Sequence, residues 1–134
     1  MAIPMTESQI QIEAIRQLER LFVLRWRSLC VEYPNGYTVA PVYAVPNEGR
    51  RTPRTGKRMK DQGLRAGVPD LCVPLARGGF HGLYIEVKTD SGRVAPAQRV
   101  WLDWLTDHGY LATVCRSVED IVGCVVEYLE LSNG

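Results

Sequence analysis

Apolar and polar positions change period several times along this chain, and each change marks an element. Ile15, Leu18 and Phe22 recur at helical spacing. Thr6 precedes them as an N-cap, and Glu7 falls in the first turn, where an anion offsets the helix dipole. This helix is predicted to stop before Pro34. From Tyr37, "YTVAPVYAV" reads as an extended segment bent at Pro41. Two further strands are predicted near Pro69–Leu75 and Leu83–Lys88, with Gly78 and Gly79 between them. Pro96 suits the first turn of a second helix, whose apolar stripe reads as Val100, Trp101, Trp104 and Leu105, with Gly109 as its stop. "YLATVCR" is a fourth strand. Ser117 then caps a last helix that turns Val118, Ile121, Val122, Val125 and Leu129 inward. The order α-β-β-β-α-β-α predicts an α/β domain, a mixed sheet with helices packed on it.

With 134 residues the chain is expected to form a single domain, residues 1–134, with its own core. No apolar run approaches the length of a membrane span. The start "MAIPMTESQ" lacks the basic and apolar regions of a signal peptide, so a cytoplasmic protein is expected. The four cysteines form no close pairs and His81 and His108 do not complement them, which argues against a zinc site. Cys72 and Cys115 lie in apolar runs and read as buried free thiols.

Charge changes the picture in one place. The net charge is +1, yet Arg50–Arg65 holds seven basic residues against the single acid Asp61. Such a segment most often forms a solvated loop. Here residues 50–66, with Pro53, Gly56 and Gly63, read as a long, mobile loop that leads directly into the Asp70 strand, and a basic segment beside candidate chemistry points to a polyanion partner.

The candidate chemistry comes from strand parity. Leu83, Ile85 and Val87 share one face of their strand, so Tyr84, Glu86 and Lys88 share the other. In an antiparallel hairpin centred on Gly78 and Gly79, placing Asp70 opposite Glu86 also pairs Leu71 with Ile85 and Val73 with Leu83. One register therefore satisfies the apolar pairs and juxtaposes two acids, which repel unless a cation bridges them. Magnesium takes carboxylate oxygens and keeps water and phosphate oxygens as its other ligands. Lys88 emerges on the same face, where its ammonium can orient an attacking water or offset charge on a phosphate. That is the chemistry of phosphodiester hydrolysis. A lone E-x-K is more often a solvated ion pair; register, glycine centre and parity act here together.

These residues resemble a known family. "GLRAGVPDL", "LYIEVKTDSGRVAPAQRVWLDWLTDHGY", "YAVPNEGRR" and "ESQIQ" look like the VRR-NUC (virus-type replication-repair nuclease) domain of the PD-(D/E)XK nuclease superfamily. The resemblance covers nearly the whole chain. It implies a restriction-endonuclease-like fold and a DNA endonuclease dependent on Mg2+, with Mn2+ as a substitute. Asp70, Glu86 and Lys88 match its central catalytic positions, and Gln98 matches its glutamine after the E-x-K strand. Asp70, Glu86 and the Val87 backbone carbonyl are the implied metal ligands. A helical glutamate is implied as well. Glu7 is preferred for it because Glu7, Gln11, Ile15, Leu18 and Phe22 share a stripe, whereas Glu13 groups with Arg16, Gln17 and Arg20. Arg50, Arg54, Lys57, Arg58, Lys60 and Arg65 are candidate DNA-phosphate contacts. Ala95 departs from the polar cap expected before Pro96. Trp101 and Trp104 read as core, and Gly63, Gly67, Gly78 and Gly79 as turn formers.

By analogy with stand-alone viral members, a homodimer acting on branched DNA such as four-way junctions or flaps is expected, in replication, recombination or repair. Two other readings compete. One is a DNA-binding or assembly module that keeps the fold without cutting; the other is a metal-dependent hydrolase of small phosphates.

Overall fold

The computed structural model describes residues 3–46, 57–58 and 60–133. Helix α1, Glu7–Arg25, starts in a capping box: Thr6 Oγ1 accepts from Gln9 N at 3.1 Å and Gln9 Oε1 accepts from Thr6 N at 2.9 Å. Ile10, Ala14, Leu18 and Phe22, each four residues after the last, form its buried stripe. The helix ends well before Pro34. Trp26 leaves helical geometry, its ring centroid 5.3 Å from that of Phe22, and the Arg25 guanidinium lies 4.5 Å over it.

A 3-10 turn, Arg27–Leu29, leads into a two-stranded hairpin of β1, Val31–Glu32, and β2, Thr38–Val39. The extended segment from Tyr37 is thus divided near Pro41. Its first half joins this hairpin, and its second half is β3, Tyr43–Ala44, in the main sheet. There follow β4, Leu71–Val73; β5, Leu83–Val87; α2, Pro96–Asp107; β6, Leu111–Cys115; and α3, Val118–Leu129.

The main sheet has the order β3-β4-β5-β6. β4 pairs antiparallel with both β3 and β5, while the α2 crossover makes β6 parallel to β5. Gly78 and Gly79 turn the β4–β5 connection at φ 56° and 85°, values that favour glycine.

Alternation along β4 and β5 sends Leu71, Val73, Leu83, Ile85 and Val87 into one core with the α1 stripe and with Ile121, Val125, Tyr128 and Leu129 of α3. Ser117 Oγ caps α3 by accepting from Asp120 N at 3.0 Å. Tyr128 is buried with its hydroxyl donating to Leu75 O at 2.6 Å, and Val122 is only partly buried. Cys30, Cys72, Cys115 and Cys124 are free thiols, and Cys72 and Cys115 are buried. Among the described residues, no helix is long and apolar enough to cross a membrane.

The second helix corrects the sequence reading. Leu102 and Leu105 are its buried residues, while Val100 and Trp104 are 66% and 49% exposed and Trp101 is half-buried. Trp104 stacks on His108, with ring centroids 3.9 Å apart, rather than entering the core. The cause is the rotation of α2. Gln98, Leu102 and Leu105 form one helical stripe, and Gln98 is tied to the sheet at Glu86, so Val100 and Trp104 turn outward.

Candidate active site

The observed β4–β5 register is Leu71↔Ile85, Cys72↔Tyr84 and Val73↔Leu83. Carried one step further, it sets Asp70 opposite Glu86. Asp70 sits just before β4 and is held by both its side chain and its main chain. Its Oδ2 accepts from Val87 N at 2.7 Å, and its carbonyl accepts from Val45 N at 2.8 Å.

Glu86 and Lys88 are not solvated. They are only 1% and 7% exposed, the two buried charged residues of the described chain. Lys88 Nζ lies 3.8 Å from Glu86 Oε2, and Gln98 Nε2 donates to the same oxygen at 3.2 Å. Glu86 Oε1 is buried without a hydrogen-bond partner. An orphaned carboxylate oxygen is costly unless something positive comes to it. Accordingly the Glu86 carboxyl is pushed up to about 8. Burial contributes most, then the charge of Asp70, then a side-chain hydrogen bond that the protonated acid shares with Asp70; Lys88 opposes them and Glu7 adds least.

Gln98 serves two purposes. Its Oε1 accepts from Ala95 N at 2.8 Å, the half of a capping box that needs no polar side chain at Ala95. Its amide then faces Glu86. Gly67 makes this placement possible. A Cβ there would lie 2.4 Å from Ala97 O, so the chain leading to Asp70 packs directly on the first turn of α2. The sequence reading gave Gly67 a turn alone; its φ of 92° is compatible with that, and close approach adds a second demand.

Glu7 is exposed, near enough to raise the proton affinity of Glu86, and its carboxylate lies beside Gly92. Glu13 faces away from this group: it accepts from Gln17 Nε2 at 3.2 Å and pairs with Arg16 at 3.5 Å. Among the described residues, no group of three or more His, Cys, Asp or Glu side chains could together hold a metal ion. Asp70 and Glu86 fit a hard cation as a pair: they offer oxygen donors and one orphaned oxygen, and water or phosphate oxygens would complete the shell.

Of the basic residues, Lys57, Arg58, Lys60 and Arg65 are exposed. Lys57 pairs with Asp61 at 3.1 Å, and Arg65 Nη1 donates to Lys60 O at 3.1 Å. Arg50, Arg54 and the stretch Asn47–Gly49 lie outside the described residues.

Arg116 was not singled out from the sequence. Its Nη1 donates to the carbonyls of Thr89 at 2.9 Å and Gly92 at 2.6 Å, fastening the turn that follows Lys88. The parallel β5–β6 register, which pairs Val87 with Cys115, is the signal that sets Arg116 beside Lys88. His81 packs edge-on to Tyr110, ring centroids 5.5 Å apart.

The family model of the VRR-NUC domain matches residues 5–119. A solved structure described as a VRR_NUC domain protein shares this fold with a TM-score of 0.76 and 24% identity, over 98% of this chain and 94% of that one. No curated protein matches. With the family model spanning most of its length, the chain belongs to the VRR-NUC domain family, and its function is of the nuclease type.

Proposed function

We propose that the protein is a metal-dependent DNA endonuclease whose acid pair, Asp70 and Glu86, binds Mg2+ or Mn2+ together with the Val87 carbonyl. One observation carries this reading: once ionised, Glu86 keeps a buried carboxylate oxygen without a donor, beside the carboxyl of Asp70, with which it can share only a proton or a cation. A merely structural glutamate would gain by pairing that oxygen or by exposing it. When bound, the cation supplies Lewis acidity to the phosphodiester and makes water more acidic.

The chain's own groups do the rest. Gln98 holds the Glu86 carboxylate in orientation through Oε2. Lys88, 3.8 Å from that oxygen, directs its ammonium toward the attacking water or the phosphate oxygen that gains charge. The Val87 N–H fixes the Asp70 carboxylate. Glu7 adds a further negative charge at the rim, which would favour a cation there. Lys57, Arg58, Lys60 and Arg65, with Arg50 and Arg54, are the proposed contacts to DNA phosphates.

Selectivity for branched DNA and a homodimeric state belong to the same proposal. A domain of this size has little surface for reading base sequence, and a symmetric dimer would present two equivalent sites. The test is cleavage by purified protein with Mg2+ of duplex, single-stranded, flap and four-way-junction DNA, beside Asp70→Asn. Metal-dependent products that vanish in the variant are expected. Binding without cleavage of any of these would instead favour the non-cutting module.

A further inference from the structure

The face of the sheet that carries Glu86 does not end at the acids. One row along, cross-strand pairing aligns Tyr43 of β3, Cys72 of β4 and Tyr84 of β5. Residues paired across a sheet share a face, and so do positions two apart on a strand. Tyr84 is thus on the Glu86 side, about 6.6 Å away along β5. Tyr110 extends the row edge-on to Tyr84, with centroids 5.5 Å apart and planes at 75°. Helix α2 packs on this face at β6 and reaches β5 through the Gln98–Glu86 hydrogen bond, so among the described residues it leaves the side toward β3 uncovered. Tyr43 is accordingly 52% exposed.

From this arrangement we infer that the Tyr43–Tyr84–Tyr110 row is a stacking platform for unpaired nucleotides next to the cleaved phosphodiester. The inference rests on the nuclease reading and narrows it, because it assigns a substrate class: DNA with a single-stranded segment or an opened junction arm beside the cut. The choice of occupant follows from chemistry and position. Bases in duplex hide their π-faces in the stack, whereas unpaired bases seat on aromatic rings. The row is continuous with the acid pair on the same strand, so the strand that presents the phosphate must pass over or beside it. A second protein copy is the weaker occupant, because β3, the open edge here, is only two residues long and offers little backbone for strand addition.

The test is affinity, in Ca2+ to block turnover, for a blunt duplex and for the same duplex with a single-stranded tail. Wild-type protein and the variants Tyr43→Ala and Tyr43→Phe are compared. Tyr43 is exposed enough for truncation to leave the fold intact, and circular dichroism checks this. The expected result is a loss of roughly tenfold by Tyr43→Ala on the tailed probe, little change on the blunt one, and retention of affinity by Tyr43→Phe. Equal loss on both probes, or none on either, overturns the platform while the nuclease reading stands. A dimer that Tyr43→Ala dissociates would assign the face to a second copy and overturns it too. Failure of the wild-type protein to bind either probe overturns the nuclease reading itself, and the platform with it.

Discussion

Gln98 donates to Glu86 Oε2 at 3.2 Å with one end of its amide and accepts from Ala95 N at 2.8 Å with the other. The start of α2 and the orientation of the buried carboxylate therefore depend on one side chain. Two substitutions separate these roles. Gln98→Ala should cost about 1 kcal/mol of stability, the usual worth of such a bond, and should slow cleavage. Gln98→Glu keeps an acceptor for Ala95 N, so stability at low pH should stay near wild type. Cleavage should nevertheless fall, because a third carboxylate replaces the donor. Denaturant unfolding and single-turnover rates check both; normal cleavage by Gln98→Glu would remove Gln98 from the site.

The raised Glu86 carboxyl makes metal-free stability depend on pH. In the folded state it holds its proton up to about 8, against roughly 4.3 in the unfolded chain. The folded state binds more protons in between, so stability should fall as pH rises through that window, by at most one proton's slope. In Glu86→Gln this component should disappear. Adding Mg2+ at pH 8 should raise the melting temperature of the wild type but not of Glu86→Gln. Thermal melts across pH, with chelator and with Mg2+, measure both effects. A wild-type profile identical to that of Glu86→Gln would contradict the buried, protonated acid.

Asp70→Asn should abolish metal-dependent cleavage and leave the fold intact. An asparagine carbonyl can still accept from Val87 N, and losing one anion relieves the repulsion at Glu86. Metal-free stability should hold or rise slightly. Full nuclease activity in this variant would sink the assignment of the acid pair.

Lys88→Ala should lower the cleavage rate far more than DNA affinity. The ammonium is buried at the acid pair and not spread on the surface. Rate at saturating DNA, compared with affinity in Ca2+, separates the two. Weak binding with normal turnover would make Lys88 a phosphate anchor instead.

Replacing Arg54, Lys57, Arg58 and Lys60 by neutral residues should weaken binding to every DNA shape. Each lost phosphate contact should reduce the log–log salt slope by about one unit. The exposed Lys57–Asp61 pair contributes little stability, so folding should be unaffected. An unchanged slope would reduce the segment to solvated surface.

The juxtaposition of Asp70 with Glu86 was legible because a strand's period of two leaves little freedom. Slipping the register by one residue would turn Leu71, Val73, Leu83 and Ile85 out of the core. The caps at Thr6 and Ser117 were legible for a similar local reason. The facing of α2 was not. Four large apolar residues suggested one stripe, but the Gln98 anchor rotated the helix by a tertiary contact that periodicity does not encode. Burial of Glu86 and Lys88 was hidden likewise: parity gives the face of a strand, and only the packing of α2 tells how deep that face lies. Arg116 escaped notice because its partners are main-chain carbonyls, which leave no mark in sequence.

The hydrogen bond from Val45 N to Asp70 O closes the intervening chain, with its basic residues, into a ring. Closure entropy grows only slowly with ring size, about 0.6 kcal/mol for each doubling. That segment can therefore be lengthened or shortened at small thermodynamic expense while Asp70 stays in register with Glu86. The length of that segment and the position of Asp70 are thus separable, and an engineer can retune the first without disturbing the second.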